Sequence, residues 1–440
     1  MSRALKRVSA SVLLVCAMQS TALAQGALTL NEREVERRVR AVAPAVRAQR
    51  AALAQAEAER DRAARALVPD LSVSARYTRL SSVPEAFRSF GGVAFPQLLD
   101  QLSARATLTL PVSDLFTRAL PALAAAGART EAAALEARAQ EARSVLDAQS
   151  TYLAWLRARA ALAIARSTRE SFERQRDDTA RRVRAGQVSL AQQLPLDVTL
   201  SQLRRQEVGL EASARGAELS VRALLAIGDE PIEPGDALDE PSPDAPAATR
   251  PRAELASLDA NARALEGQAR AARGALAPSV HVIGGVDIAA PNQRAFALTT
   301  LTPLATWDVS VQLSWSLGQA LDAEAQLRVL SAQREALSAQ REALARAIDA
   351  ELATARAELA AALRRLEESR EGLRAAEALA EQRRGAYAAG AATATELTLA
   401  EGELLRQRID REDARLEARA AHLRLRYAAG VLTRSTTNVR

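Results

Sequence analysis

The chain has 440 residues, with 59 lysines and arginines against 53 aspartates and glutamates and a formal charge of +6. Three basic and no acidic residues precede position 25, so the remainder carries about 6 − 3 = +3. That surplus is small and interleaved with acid, as in Glu131, Glu136, Arg138, Glu141 and Arg143; it describes solvated helix faces and argues against nucleic-acid binding, which needs clustered charge.

Residues 1–24 hold Arg3, Lys6 and Arg7, an apolar run through Val12, Leu13, Leu14 and Val15, and the small-residue triplet Ala22-Leu23-Ala24. This is the pattern of a secretory signal cleaved after Ala24, and its apolar run is too short to span a bilayer. The only cysteine, Cys16, lies inside it behind the bulky Val15, unlike a lipid-attachment signal. The mature chain therefore reads as unlipidated, with no disulfide, thiolate or cysteine-held metal. No later segment offers an uninterrupted apolar run of about 18 residues, so any membrane crossing must use strands, because lipid admits only helices and closed barrels.

Alanine, leucine, arginine and glutamate dominate about 30–67, 118–228 and 252–430, the last broken near 278–318, and these blocks read as helices. Leu135, Ala139, Ala142, Leu146, Gln149, Leu153 and Leu156 step by three or four, as do Leu337, Leu344, Ile348, Leu352, Leu359, Leu363, Leu366 and Leu373. So narrow a stripe suits coiled-coil packing of long antiparallel helices. At roughly 1.5 Å per residue, 119–185 and 320–389 each offer about 100 Å of helix, which predicts an elongated molecule. Tyr152 and Trp155 read as packing residues.

Two regions change period. Leu71, Val73, Ala75 and Tyr77 alternate with polar neighbours, as do Ala104, Ala106, Leu108 and Leu110, then Val280, Val282, Gly284 and Val286, and finally Val309, Val311, Leu313, Trp315 and Leu317. Period two with one apolar face predicts four strands, each about ten residues long, the length of a tilted membrane strand. Their polar faces carry Arg76, Arg105, His281, Asp287 and Asp308, which fits a wet lumen. Eight aromatics, Tyr77, Phe87, Phe90, Phe95, Phe116, Phe296, Trp307 and Trp315, fall near strand ends and loops; Tyr77, Phe116, Trp307 and Trp315 are the candidates for an interfacial girdle.

Ala66-Leu67-Val68-Pro69 is answered by Ala275-Leu276-Ala277-Pro278 at an offset of 209, and both halves then run helix, strand, loop, strand, long helix, glycine turn, helix. The chain thus divides into a signal (1–24), a first repeat (25–228), a connector (229–251) with six of the sixteen prolines, a second repeat (252–430) and a tail (431–440). Four strands cannot close a transmembrane barrel, since about eight is the smallest case. Identical copies must supply the rest: two copies give a filled barrel, three a passage.

The order of elements, the duplication and three strings resemble the TolC-like outer-membrane efflux protein family over nearly the whole mature chain. The strings are Ala64-Arg65-Ala66-Leu67-Val68-Pro69, Arg182-Val183-Arg184-Ala185-Gly186-Gln187-Val188-Ser189 and Gly385-Ala386-Tyr387-Ala388-Ala389-Gly390-Ala391-Ala392-Thr393. The resemblance implies an α+β outer-membrane protein: a homotrimer whose four strands per protomer share one twelve-stranded barrel, with a long helical barrel in the periplasm. It also implies a passive exit duct of a tripartite efflux pump or type I secretion system, without cofactor, working with a periplasmic adaptor and an inner-membrane transporter. The turns at Gly186 and Gly390 would be the adaptor-docking tips, with Arg184, Ala185, Gln187, Val188, Ala389, Ala391 and Ala392. Glu396 matches a place where the family narrows; Leu399 and Gln192 stand where acids are usual, and Pro195 and Asp197 depart from the spacing, so a longer or kinked first tip is expected.

No nucleophile elbow, zinc-spaced histidine pair or phosphate-binding loop occurs, and His281 and His422 are too few for a metal site; no enzyme activity is expected. The competing reading is a periplasmic coiled-coil adaptor or structural protein. Adaptors add small β domains after their hairpin, and the helical run from 320 to 430 leaves no room for one.

Overall fold

The computed structural model describes residues 28–82, 84, 89–90, 93–94, 99–235, 252–292, 294 and 302–432. The signal with Cys16, most of the connector and tail, and Phe87, Phe95 and Phe296 lie outside the described residues. In chain order the elements are β1 (Leu28–Leu30), α1 (Glu32–Val42), α2 (Pro44–Arg65), β2 (Asp70–Arg79), β3 (Ser89–Phe90), β4 (Val93–Ala94) and β5 (Asp100–Leu110). A single turn α3 (Val112–Asp114) then passes through a π-helical turn (Leu115–Ala119) into α4 (Leu120–Arg184), followed by α5 (Leu190–Leu225) and β6 (Ile232–Pro234). The second half holds α6 (Ala253–Arg273), β7 (Ser279–Ala290), β8 (Leu304–Ser314), α7 (Leu317–Ala388) and α8 (Ala394–Ala428).

The expected helix over 30–67 is two helices preceded by a strand. Pro44 has no N–H to give and forces the residue before it out of the helical region; Ala43 accordingly sits at φ −54°, ψ 123°. Asn31 starts α1 by accepting the Glu34 N–H on its side-chain oxygen at 2.7 Å. Ahead of it, Leu28–Leu30 pairs in parallel with Ile232–Pro234, which takes the first residues of the expected connector into the fold. At the first tip, α5 runs from Leu190 to Leu225 with Pro195 inside its second turn.

All four long strands form, in the order β2-β5-β7-β8, antiparallel throughout, with β2 and β8 at the edges. The last strand is shorter than its alternation suggested. It ends where Ser314 pairs with Ser279, because Pro278 precedes Ser279 and cannot extend the ladder. Trp315 therefore lies beyond the strand and Leu317 begins α7.

The chain folds into two compact units that cut across the sequence repeats, one of residues 1–47, 140–250 and 348–440, the other of 48–139 and 251–347. In the first, Leu30, Val35, Val39, Val145, Trp155, Val221 and Leu225 pack around Tyr152, which is 1% exposed and donates its hydroxyl to the Leu30 carbonyl at 2.7 Å. Ala355, Leu359, Ala362 and Leu366 of α7 meet Ala414, Ala418, Ala421 and Leu425 of α8, the alanine-backed seam that close helix packing requires. In the second unit the sheet is joined by α6 and the start of α4. A Cβ at Gly267 would come within 2.7 Å of the Ala125 Cβ, so these two helices touch along a small-residue seam.

Candidate functional site

Register decides which side chains share a face of the sheet. Val73, Ala106, Val286 and Trp307 are partners in one row, and Leu71, Leu108, Gly284 and Val309 in the next. This apolar face is open: Val73 is 75% and Trp307 73% exposed, with Leu71, Tyr77, Leu102, Leu108, Val286, Ile288, Val309, Val311 and Leu313 exposed beside them. At about 1.5–3 kcal/mol per large apolar side chain removed from water, such a face represents roughly 20 kcal/mol that water would not repay, far beyond the patches of ordinary soluble domains.

The opposite face is polar. Arg76, Arg105, His281, Asp287 and Asp308 all lie on it: the rows run Ser74–Arg105–Asp287–Thr306 and Ser72–Thr107–Gly285–Asp308, with Arg76 opposite Ser103 and His281 opposite Gln312. Arg105 reaches across β7 to Asp308, its Nη2 at 3.0 and 3.2 Å from the two carboxylate oxygens. Gly285 makes this possible, since a Cβ there would stand 2.8 Å from that Nη2. From the β7–β8 loop, Arg294 donates to the Trp307 carbonyl at 2.9 Å and lies 3.7 Å from the same carboxylate. Neither Gly285 nor Arg294 stands out in the sequence, because the partners are some two hundred residues from Arg105 and meet only through strand register.

The four girdle candidates separate along the sheet. Tyr77 is at the loop end of the apolar face, where its hydroxyl donates to Asp100 at 2.7 Å beside the Arg79–Asp100 ion pair. Phe116, in the π-helical turn, and Trp315, whose Nε1 donates to the Leu276 carbonyl at 3.3 Å, are exposed at the helix end. Trp307 falls between.

The two glycine turns belong to the first unit, and one cluster joins them. Phe172 of α4, Leu196 and Leu200 of α5, Tyr387 of α7 and Leu397 of α8 pack together, while the Thr179 and Tyr387 hydroxyls are 2.9 Å apart and buried. Each turn is a left-handed cap: Gly186 has φ +72°, and the Gln187 N–H reaches the Arg182 carbonyl at 2.9 Å; Gly390 has φ +76°, and the Ala391 N–H reaches Ala386 at 2.8 Å. Arg184, Ala185, Gly186, Gln187, Ala389, Gly390 and Ala391 are exposed and Val188 half-buried. Ala392 differs, being 8% exposed and turned into the cluster.

Glu396 has a local task. It closes a capping box with Thr393, its Oε2 accepting from the Thr393 N–H at 2.9 Å and from the hydroxyl at 3.2 Å, and Arg383 stands 3.5 Å from its other oxygen. These bonds, the Thr393 backbone first, hold its carboxyl below the ordinary glutamate value. Gln192 is half-buried in the first turn of α5. Between α5 and α8, a groove of about 420 Å³ is lined by residues including Gln202, Leu203, Leu399 and Arg406. Among the described residues no helix is long and apolar enough to cross a membrane, and no group of three His, Cys, Asp or Glu side chains could hold a metal.

The fold is similar to solved channels. It matches the outer-membrane channel CmeC of Campylobacter jejuni at a TM-score of 0.76 with 12% identity, covering 91% of this chain and 85% of that one. VceC of Vibrio cholerae matches at 0.73 and 18%, covering 91% and 96%, and the open state of MtrE of Neisseria gonorrhoeae at 0.74 and 17%, covering 92% and 90%. No curated protein matches significantly. The family model described as outer membrane efflux protein matches residues 36–226 and 246–431, and with that match over most of its length the chain belongs to the outer membrane efflux protein family.

Proposed function

We propose that three copies of this chain pool their sheets into a twelve-stranded barrel and form the exit duct of a tripartite efflux pump or type I secretion system. The family places the chain in the outer membrane with its helical part in the periplasm. The observation that carries the reading is a four-stranded sheet whose edges, β2 and β8, have no strand partner among the described residues, and whose apolar face is exposed. In lipid each unpaired backbone group costs several kcal/mol, so the edges must meet those of other copies. Eleven residues at about 3.4 Å each, tilted about 40°, rise roughly 28 Å, close to the apolar band of about 25 Å that such barrels present. The apolar face then meets lipid, and Arg76, Arg105, His281, Asp287 and Asp308 line the passage.

The duct is passive. No phosphate-binding loop is present in the sequence, so an inner-membrane transporter supplies the energy. The exposed turn residues around Gly186 and Gly390 dock the periplasmic adaptor, and Glu396 with Gln192 lines a constriction just inside them, its carboxylate offset by Arg383. The test is extraction and conductance: the protein leaves membranes only with detergent and raises the conductance of planar bilayers in discrete steps. A water-soluble single chain without conductance would sink the proposal.

A further inference from the structure

We propose that Arg76, Arg105 and Arg294 form a positive collar at the loop end of the polar face, which makes the duct favour anionic over cationic solutes when salt is low. The inference rests on the reading that this face lines a passage.

Charge on the face is polarised along the strands. Among the described residues of this face, three arginines stand toward the loops against Asp287 and Asp308, a net +1 per chain, while toward the helices the strands carry Asp70 and His281 and no arginine. Three copies would set +3 around one end of the lumen.

Two of the arginines are fixed rather than free. Gly285 leaves room for the Arg105 guanidinium to lie flat across β7 against Asp308. Asn292, 4% exposed, donates to the Leu304 carbonyl at 3.0 Å and accepts from the Arg294 N–H at 2.9 Å; this anchors the loop residue whose side chain reaches Trp307 and Asp308. Two guanidiniums thus share one carboxylate, and the wall keeps its positive excess. Rings of arginine are the usual basis of anion preference in pores. Screening sets the range: the Debye length is about 10 Å at 0.1 M and about 30 Å at 0.01 M, so in a lumen wide enough for a passage the collar governs ions only in dilute salt.

The test is the chloride-to-potassium permeability ratio from reversal potentials of the detergent-purified full-length channel in bilayers, in dilute and in molar KCl. Arg76→Gln, Arg105→Gln and Arg294→Gln together lower the ratio by about twofold or more in dilute salt and little at about 1 M. Asp308→Asn alone raises it, which separates charge from damage to the barrel if the triple variant fails to assemble. Gly285→Val adds no charge; it pushes the guanidinium off the wall and lowers unit conductance while keeping the chloride preference. A conducting wild-type channel whose ratio is unmoved by either charge change overturns the collar. A wild-type protein that never conducts overturns the duct itself.

Discussion

At Ala226 the chain does what only glycine does without strain. This residue caps α5 with φ 48°, whereas Gly430, which ends α8 in the other half, has φ 71°. A side chain in the left-handed region costs about 1 kcal/mol or more. Ala226→Gly, at an exposed position, is therefore expected to stabilise the protein by about 0.5–1 kcal/mol after the added freedom of the unfolded chain is counted; unchanged or earlier unfolding in denaturant would contradict it. Glu396 allows a prediction with a sign. Its folded value lies below the unfolded one, so its contribution is present above the unfolded value, near pH 4.5, and is lost as pH falls through the folded value. Glu396→Gln should thus lose stability relative to wild type near neutral pH, and the gap should close in acid; a gap constant between pH 7 and pH 3 rules out the capping role.

Elements were legible where their period was. The four strands follow from alternation, and the helices from stripes such as Leu352, Leu359, Leu363 and Leu366. The short β1 and β6 were not legible, because three residues carry no period and their pairing joins positions some two hundred apart. The split at Pro44 is masked by the helical composition on both sides of it. Strand edges carry the strongest prediction at this scale. Position 16 holds the only cysteine of the chain, so cysteines placed singly along β2 and β8, Val73→Cys with Val309→Cys among them, report pairing between copies without background. With one cysteine on β2 and one on β8 of the same chain, oxidation should give covalent dimers and trimers for in-register pairs, and none for Cys pairs on β5 and β7, whose partners are within the chain. Monomers alone, from every β2–β8 combination, would contradict shared closure.

On the scale of the molecule, the two halves contribute alternately to each unit: β5 of the first pairs with β7 of the second, and the two glycine turns share one cluster. Duplication was readable from the repeated strings, yet which strands pair across the halves was not, since register depends on partners that composition does not name. The same limit applies to the tips, where sequence marked Gly186 and Gly390 but not the Thr179–Tyr387 contact that ties their helices. The turns belong to one unit and the sheet to the other, which allows a final prediction. Arg184, Gln187 and Ala391 are exposed, and surface changes of this kind shift stability by no more than about 0.5 kcal/mol. Arg184→Glu with Gln187→Glu and Ala391→Glu should leave trimer assembly and bilayer conductance intact, because all three positions are exposed and none belongs to the proposed constriction of Glu396 and Gln192. Export in cells holding the cognate adaptor and transporter should fall severely, since three copies then present nine new carboxylates where the adaptor must seat. Full export by this variant would place docking elsewhere on the helices, while lost conductance would mean that the turns shape the passage itself.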